Sequence, residues 1–247
     1  MKRALLDRLL EGQRAKRPLV LVTDLDTGRQ LLLDAGESLG ELAGEAAAEA
    51  AARQALAGEK SGRLPEGPLF AQVFMPPLRL VVVGAVHIAQ ALVPMARLAG
   101  YAVTLVDPRQ GWASPARFPD VEICGEWPDE ALATLAPDRR TAIVTLTHDP
   151  KLDDPALVAA LGSPAFYVAA LGSTRTHAKR RERLLATGLA EAEIARLAAP
   201  AGLAIGARTP AEIAVSVLAQ MTAALRGAPP LVKAPVPEAV PAPEAAA

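Results

Sequence analysis

The sequence predicts an α/β protein with a mostly parallel sheet, because two kinds of segment alternate along most of the chain. Over residues 76–227, short apolar runs rich in Val, Ile and Leu are followed by stretches of helical periodicity. Residues 1–75 carry fewer elements in a different order, which predicts a separate small α+β domain. Residues 228–247 are mostly Pro, Ala and Glu with little to bury, so we expect a disordered tail.

The amino-terminal domain is predicted to begin with an amphipathic helix over 1–15, whose apolar face would carry four leucines: Leu5, Leu6, Leu9 and Leu10. Two apolar runs then flank the turn signal Asp24-Leu-Asp-Thr-Gly28, which favours a hairpin. The segments after residue 15 follow in chain order: strands 19–23 and 30–33, an alanine-rich helix over about 37–57, a polar Gly/Pro linker over 58–68 and a strand over 69–75.

The larger domain is predicted to be wound around a parallel sheet. Its elements follow in chain order: strand 79–83, helix 87–99, strand 102–106, strand 121–124, helix 129–136, strand 141–146, helix 154–161, strand 165–170, helix 175–187 and helix 210–226. Such alternation implies right-handed crossovers, and ligands of these sheets collect beyond the carboxyl ends of the strands. The last helix has a clear start, since Thr209-Pro-Ala-Glu212 forms a capping box.

The first strand–turn–helix–strand unit of this domain predicts a Rossmann-like fold. The apolar run breaks at Gly84, and the next apolar run ends on Asp107, 23 positions later, where an acid would meet a ribose hydroxyl. The second glycine of the nucleotide-binding pattern is replaced by Val86, whose branched Cβ lies where a pyrophosphate approaches bare backbone. The pattern therefore predicts the scaffold without ordinary NAD(P) binding, and an NAD(P)-dependent oxidoreductase is the alternative hypothesis.

Composition excludes several classes of protein. The net charge of −1 gives no reason to expect a nucleic-acid partner, and aromatic residues make up only 3% of the chain. No apolar run reaches 18 residues and the amino terminus is charged, so we expect no membrane insertion and a cytoplasmic protein. A single cysteine excludes an intramolecular disulfide and a cysteine-built zinc site, and we expect no metal site.

Six short segments occur in a characteristic order over roughly residues 70–227: Gly84-Ala-Val-His-Ile-Ala89, Val106-Asp-Pro-Arg109, Arg117-Phe-Pro119, Thr147-His-Asp149, Ala170-Leu-Gly-Ser173, and Gly202-Leu-Ala-Ile-Gly206 with Thr209-Pro-Ala-Glu-Ile-Ala214. Together they resemble the C-terminal domain of the XdhC/CoxI family, the accessory proteins of xanthine dehydrogenase and carbon monoxide dehydrogenase. Longer members of that family carry a Ser-Gly-Gly-Cys-Val-Glu type segment, which residues 1–75 lack.

The resemblance implies a chaperone for molybdenum cofactor rather than an enzyme. It implies that molybdopterin, or its dinucleotide form, is held as cargo and delivered to an apo-molybdenum hydroxylase of the xanthine dehydrogenase or CO dehydrogenase type. For some members it also implies help to a sulfur donor, which makes a cysteine desulfurase a second expected partner; a homodimer stays open. A third alternative is an interaction module whose nucleotide crevice holds no ligand.

The residues expected to bind the cofactor follow the predicted strands or begin the next helices: Gly84, Ala85, Val86, His87, Asp107, Arg109, Thr147, His148, Gly172, Ser173 and Arg175. The turn at Gly84 and the helix start after it form a natural anion site, or else a turn that only packs strand on helix. His87 would donate to a phosphate or approach a molybdenum oxo group; the alternative is a surface histidine that caps the turn.

The later candidates also have two interpretations each. Asp107 would accept from a ribose or pterin donor and Arg109 would fork onto a phosphate, or the two would form a mutual salt bridge. Thr147-His148-Asp149 would contact the ligand, or serve as turn and cap groups; His148 beside Asp149 is also an acid/base candidate, although we assign no catalytic residue.

The helix start at Gly172 and Ser173 is a second candidate anion cradle. The basic run that follows is either a solvated helix face or a surface that binds an anionic cofactor or docks a partner: Arg175, His177, Lys179, Arg180, Arg181 and Arg183. Cys124 ends a predicted strand, and a buried thiol is favoured over a sulfur carrier.

Overall fold

A computed structural model describes residues 2–65 and 67–228 of the chain. These residues divide into two compact units, and the chain passes from the first to the second between Pro77 and Leu78. The first unit contains an antiparallel sheet and the second a parallel sheet with helices on both faces. The predicted α/β fold class with a small α+β unit in front is confirmed. The predicted disordered tail lies, apart from Ala228, outside the described residues.

The first unit packs two helices on a five-stranded antiparallel sheet of order β3-β2-β1-β5-β4. Its elements are α1 (Arg3–Arg14), β1 (Leu19–Asp24), β2 (Gln30–Asp34), β3 (Glu37–Gly40), α2 (Ala46–Gly58), β4 (Gly62–Arg63) and β5 (Leu69–Phe74). The predicted hairpin is confirmed, since Leu21 pairs with Leu32 across β1 and β2. The predicted leucine face of α1 is half right: Leu5 and Leu9 are buried, whereas Leu6 and Leu10 are 40% and 39% exposed.

The predicted start of the alanine-rich helix at residue 37 is wrong. Residues Glu37–Gly40 form β3, which pairs with β2, and the helix begins only at Ala46. The pairing is close: a Cβ on Gly40, whose φ is +118°, would lie 2.3 Å from the carbonyl oxygen of Gln30. A glycine at this position therefore allows the strand, and this hairpin pairing overrides the local preference for helix.

A buried carboxylate connects α1 to the sheet of this unit. Asp34 at the end of β2 is fully buried and accepts two hydrogen bonds of 2.9 Å from the guanidinium of Arg17. The Arg8 guanidinium of α1 lies 2.7 Å from the same carboxylate. The hydrogen bonds from Arg17 hold the pKa of Asp34 below its ordinary value. Two arginines thus compensate one charge that burial would otherwise make costly.

The second unit is a doubly wound parallel sheet of order β11-β10-β9-β6-β7-β8. Its elements are β6 (Leu78–Val83), α3 (His87–Leu98), β7 (Tyr101–Val106), β8 (Glu122–Cys124), α4 (Pro128–Leu135), β9 (Thr141–Thr145), α5 (Pro150–Leu161), β10 (Tyr167–Ala170), α6 (Thr174–Ala186), α7 (Glu191–Ile194), β11 (Leu197–Ala198) and α8 (Pro210–Arg226). Counted from β6, the order is 3-2-1-4-5-6, and the strand order reverses between β6 and β9.

Alternate residues of each strand pack into cores on opposite faces of this sheet. Leu80 and Val82 of β6 join the core under α3 and α8, whereas Val81 and Val83 join the core under α4, α5 and α6. Burial on both faces explains why the strands appear as continuous apolar runs in the sequence. The predicted capping box of α8 is confirmed, because Thr209 and Glu212 bond each other's backbone N–H groups.

Two missed elements and one helix start are the main differences from the prediction in this unit, and the strand predicted over 165–170 begins only at Tyr167. The short elements α7 and β11 were not predicted, since four and two residues carry too little periodicity to detect. Helix α5 begins at Pro150 rather than 154, because the Asp149 side chain accepts from the N–H of Lys151 and caps the helix there. Within the described part of the chain, no helix is both long enough and apolar enough to cross a bilayer.

The turn after β6 packs directly against the turn after β9, at the point where the strand order reverses. Gly84 has a φ of +109°, and a Cβ built on it would lie 2.5 Å from Cγ2 of Thr147. Its N–H donates to the carbonyl of Val106 at 2.9 Å, so the turn is also held to β7. Glycine is required here for two separate reasons, the backbone conformation and the contact with Thr147.

The buried carboxylate of the first unit gives a prediction about stability. Changing Asp34→Asn should lower the free energy of unfolding by about 2–3 kcal/mol, since the charged hydrogen bonds from Arg17 and the ion pair with Arg8 are lost. Because the pKa of Asp34 is lowered in the folded state, the advantage of the wild type should be complete above the ordinary carboxyl pKa. It should disappear as the pH falls through the lowered pKa.

Urea unfolding followed by far-ultraviolet circular dichroism, from neutral to acidic pH, measures this difference. The control is Glu37→Gln, because Glu37 lies 3.8 Å from Arg8 but is exposed; its cost should stay below about 0.5 kcal/mol. Equal costs for the two variants, or a difference that grows in acid, would contradict the role assigned to Asp34.

The contact between Gly84 and Thr147 gives a second prediction. Gly84→Ala should cost about 2–3 kcal/mol, from the left-handed backbone and the clash together. Thr147→Ser removes Cγ2 but keeps the hydroxyl, so alone it should cost less than about 1 kcal/mol. The double variant should lose about 1 kcal/mol less than the sum of the single costs, because the clash is gone. Urea unfolding of all four proteins measures this coupling, and strict additivity would contradict the contact.

Candidate functional site

The candidate site lies beyond the carboxyl ends of β6, β9 and β7, where the Gly84 turn opens into α3. Val86 is the N-cap residue of α3, and no side chain caps this helix. The helices that follow β9 and β10 are capped, by Asp149 and Ser173. The first N–H groups of a helix have no intrahelical partner and lie at the positive end of its dipole. The start of α3 can therefore bind an anion through its backbone, and His87 lies exposed at its first position.

The structure pairs Asp107 with Arg109. The guanidinium forks onto the carboxylate with bonds of 2.9 Å from Nε and 2.8 Å from Nη2, and the Arg109 N–H adds a third at 3.0 Å. The remaining contact of the carboxylate comes from the N–H of Ala85 at 2.8 Å. Burial alone would raise the pKa of Asp107, but these hydrogen bonds outweigh it and lower the pKa. The carboxylate thus holds the Gly84 turn to the end of β7.

Arg109 also contacts an aromatic residue that the sequence did not single out. Its guanidinium lies 5.1 Å from the ring centroid of Trp112, and Arg117 lies 5.7 Å from the same ring. Trp112 is 44% exposed. The loop after β7 therefore presents an indole in contact with two cations, one of which is the Arg109 of the Asp107–Arg109 pair.

The loop after β9 is organised by Asp153, a residue of α5 that is 1% exposed. The Thr147 hydroxyl donates to its Oδ1 at 2.7 Å, and the N–H of His148 donates to Oδ2 at 3.1 Å. His148 itself is exposed and has a φ of +63°. Asp149 serves as the N-cap of α5, as the turn-and-cap interpretation expects. Burial is the main influence on Asp153 and raises its pKa above the ordinary value.

The turn after β10 places the remaining candidates at the start of α6. The Ser173 hydroxyl accepts from the N–H of Thr176 at 3.1 Å, so its oxygen is already used as a helix cap. Gly172 has a φ of +147°, and a Cβ there would lie 3.6 Å from Nη1 of Arg180. Arg175 is exposed and lines a cavity together with His148.

The eleven predicted residues therefore fall into two groups. One surrounds the start of α3 and the other the start of α6: Gly84, Ala85, Val86, His87, Asp107, Arg109 and Thr147 in the first, His148, Gly172, Ser173 and Arg175 in the second. Direct contacts join Gly84 to Thr147, Ala85 to Asp107, and Asp107 to Arg109. The second group is linked to the first through Asp153, which bonds both Thr147 and His148.

Two buried charged residues of this region are not among the eleven predicted site residues. Asp153 is one, and the other is Arg180, which is 2% exposed and donates to the carbonyl of Leu171 at 2.9 Å. A solvated helix face is therefore the wrong interpretation for Arg180. The spacing held a signal, since Arg180 is four positions before the buried Leu184 and shares its helix face. Cys124 is partly buried and packs against the core that contains α4.

Comparisons with known proteins agree with this architecture. A family model described as the XdhC Rossmann domain matches residues 80–221, more than half of the chain. The molybdenum cofactor insertion chaperone PaoD of Escherichia coli K12 is 33% identical over 148 residues, which cover 60% of this chain and 40% of PaoD. A protein of Bacillus subtilis 168 described as a probable xanthine dehydrogenase subunit is 31% identical over 157 residues, covering 62% of this chain and 44% of that protein.

A solved structure extends the likeness to both units of the chain. The crystal structure of a protein described as a xanthine dehydrogenase from Bacillus halodurans superposes with a TM-score of 0.71 at 25% identity, covering 95% of this chain and 67% of the other. The chain spans less than half the length of PaoD and of the Bacillus subtilis protein. The matched segment includes the Gly84 turn, the Asp107–Arg109 pair and the Asp153 loop, and on this match the chain belongs to the XdhC family.

Proposed function

We propose that this protein binds molybdenum cofactor and aids its insertion into a molybdenum hydroxylase of the xanthine dehydrogenase or CO dehydrogenase type. The observation that carries the proposal is the uncapped start of α3 directly after Gly84, where the strand order of the sheet reverses. Molybdopterin is a phosphate ester, and backbone N–H groups at a helix start are suited to a phosphate. The name of the relative PaoD, an insertion chaperone for this cofactor, supports the same function.

We infer different roles for the residues around the start of α3. Gly84, Ala85 and Val86 shape the turn so that the backbone of His87 and its neighbours faces the phosphate. Asp107 keeps the turn in place through the N–H of Ala85 rather than binding the ligand itself. Arg109 is one-third exposed and uses only part of its five N–H donors on Asp107, so its outer edge is free to contact the cargo.

The partner in this proposal is an apo-hydroxylase, and the place of action is the cytoplasm, where such an enzyme would be loaded. We propose no role for a cysteine desulfurase or for a homodimer, although the family resemblance leaves both open. An NAD(P)-dependent oxidoreductase is the alternative, favoured by the 3-2-1-4-5-6 strand order. Two predictions separate the two functions.

The first prediction concerns loading of the hydroxylase. His87→Asp places a negative charge at the start of α3, where it stabilises the helix but repels an anionic cargo. We expect cofactor affinity to fall about tenfold. The matched control is Arg97→Ala, which changes the net charge by the same amount at the exposed, opposite end of α3. The hydroxylase is expressed with wild type, with each variant or with no accessory protein, and its molybdenum content and activity are measured.

The expected order of molybdenum content is wild type and Arg97→Ala together, then His87→Asp, then no accessory protein. A hydroxylase fully loaded in the absence of the accessory protein would overturn the chaperone function. Equal loading with both variants would leave the function standing and show that the phosphate does not bind at the start of α3.

The second prediction concerns dinucleotides. The wild type should not bind NAD(H) with micromolar affinity, because the side chain of Val86 occupies the N-cap position at which a pyrophosphate approaches the backbone. Val86→Gly should strengthen NAD(H) binding, since glycine is well tolerated as an N-cap. Val215→Gly, the same change on the exposed side of α8, is the control and should have no effect. Titration calorimetry measures all three proteins, and micromolar binding by the wild type would favour the oxidoreductase.

A further inference from the structure

We propose that the cavity between α5 and α6 is a second anion site, built around Arg180 and suited to a phosphate dianion. The cavity has a volume of about 200 Å³. The charged and titratable residues of its lining are His148, Asp153, Arg175, Lys179, Arg180 and Arg183. It adjoins the carboxyl ends of β9 and β10, and it is separate from the α3 site proposed for the cofactor.

The unpartnered guanidinium of Arg180 is the main evidence. Its Nη2 donates to the carbonyl of Leu171 at 2.9 Å and lies 3.5 Å from the Asp153 carboxylate, at the limit of a hydrogen bond. Its Nε and Nη1 are buried and have no hydrogen-bond partner. Buried charged donors are almost always satisfied, so two such atoms on one cavity-lining residue indicate a missing acceptor.

The other charges of the cavity leave an excess of positive charge. Arg183 is neutralised by Asp154 through bonds of 2.5 and 3.0 Å, and Asp153 is the carboxylate nearest Arg180. Among residues 2–65 and 67–228, no hydrogen bond or ion pair involves the side chain of Arg175 or of Lys179. Arg175 and Lys179 therefore stand as two free cations beside the Arg180 guanidinium, whose Nε and Nη1 lack an acceptor. Both are exposed and line the cavity.

These features select the class of ligand. Nε and Nη1 of Arg180 are charged donors without an acceptor, which an oxyanion supplies, and two further cations match a dianion better than a monocarboxylate. The cavity lies at the first turn of α6, where the helix dipole adds to the positive potential. Its volume accommodates a phosphate and a small part of the molecule that carries it. The phosphate would come either from solution or from the end of a larger ligand.

Titration calorimetry with inorganic phosphate and with glycerol 3-phosphate, on the full chain, tests this site. In the His87→Asp background, where the start of α3 repels an anion, we expect saturable binding of one equivalent with a dissociation constant of about 1 mM or below. The double variant Arg175→Ala/Lys179→Ala should weaken it at least about tenfold, because two charged contacts are lost while Arg180 stays in place. Arg181→Ala is the matched control: Arg181 lies on the same helix, pairs with Glu191 and does not line the cavity.

A third variant, Arg180→Lys, keeps the charge but loses the fixed, planar set of guanidinium donors, and it should bind at least about tenfold more weakly. Tighter binding of glycerol 3-phosphate than of inorganic phosphate would identify the end of a larger ligand as the source, and equal binding would identify free phosphate. The absence of saturable binding in the His87→Asp background overturns the proposal, as does an equal loss in Arg181→Ala and the double variant. Because this titration is made in the His87→Asp background and hydroxylase loading is measured against the wild type, failure of the cofactor site and failure of this site are distinguishable.

Discussion

The edge of the parallel sheet that faces the proposed ligands depends on the hydrogen bonds that the carboxylate of Asp153 accepts. It is buried and bonds the Thr147 hydroxyl and the His148 N–H, which fixes the loop after β9. The same carboxylate faces Arg180, whose guanidinium reaches the Leu171 carbonyl at the end of β10. The methyl group of Thr147 in turn contacts the Gly84 turn after β6. One acid therefore connects, directly or through Thr147 and Arg180, the turns that follow three strands.

Asp107 has the corresponding duty at the end of β7, where it binds Ala85 and Arg109. The two buried acids at this edge, Asp107 and Asp153, are thus occupied by groups of the protein itself. The groups left to face a ligand are donors: the N–H groups at the start of α3, the outer edge of Arg109 and the cationic side chains of α6. Such an edge recognises oxyanions, and its affinity for them is set by hydrogen bonds and charge rather than by buried apolar area.

The sequence predicts this edge in outline because the elements that form it have local signals. Buried parallel strands appear as apolar runs, and Gly84 and Asp107 keep the spacing of a nucleotide-binding unit. The partners of the charged residues have no such signal. Whether Asp107 binds a ligand or Arg109 depends on side-chain geometry. Arg180 is buried, although arginine is a residue type usually found at the surface. Strand β3 was not predicted either, because residues 37–40 are extended through their pairing with β2 and carry no strand pattern of their own.

The position of Trp112 has an optical consequence. Both tryptophans of the chain, Trp112 and Trp127, belong to the unit that begins at Leu78, and residues 1–77 contain neither tryptophan nor tyrosine. Emission excited at the red edge of the protein absorption band therefore comes from one unit alone. Trp112 lies within about 6 Å of the guanidinium groups of both Arg109 and Arg117, so the wavelength and intensity of its fluorescence depend on where those charges are. The loop after β7 thus carries an intrinsic fluorophore that senses the arginine next to the proposed cofactor site, and the amino-terminal unit is invisible to it.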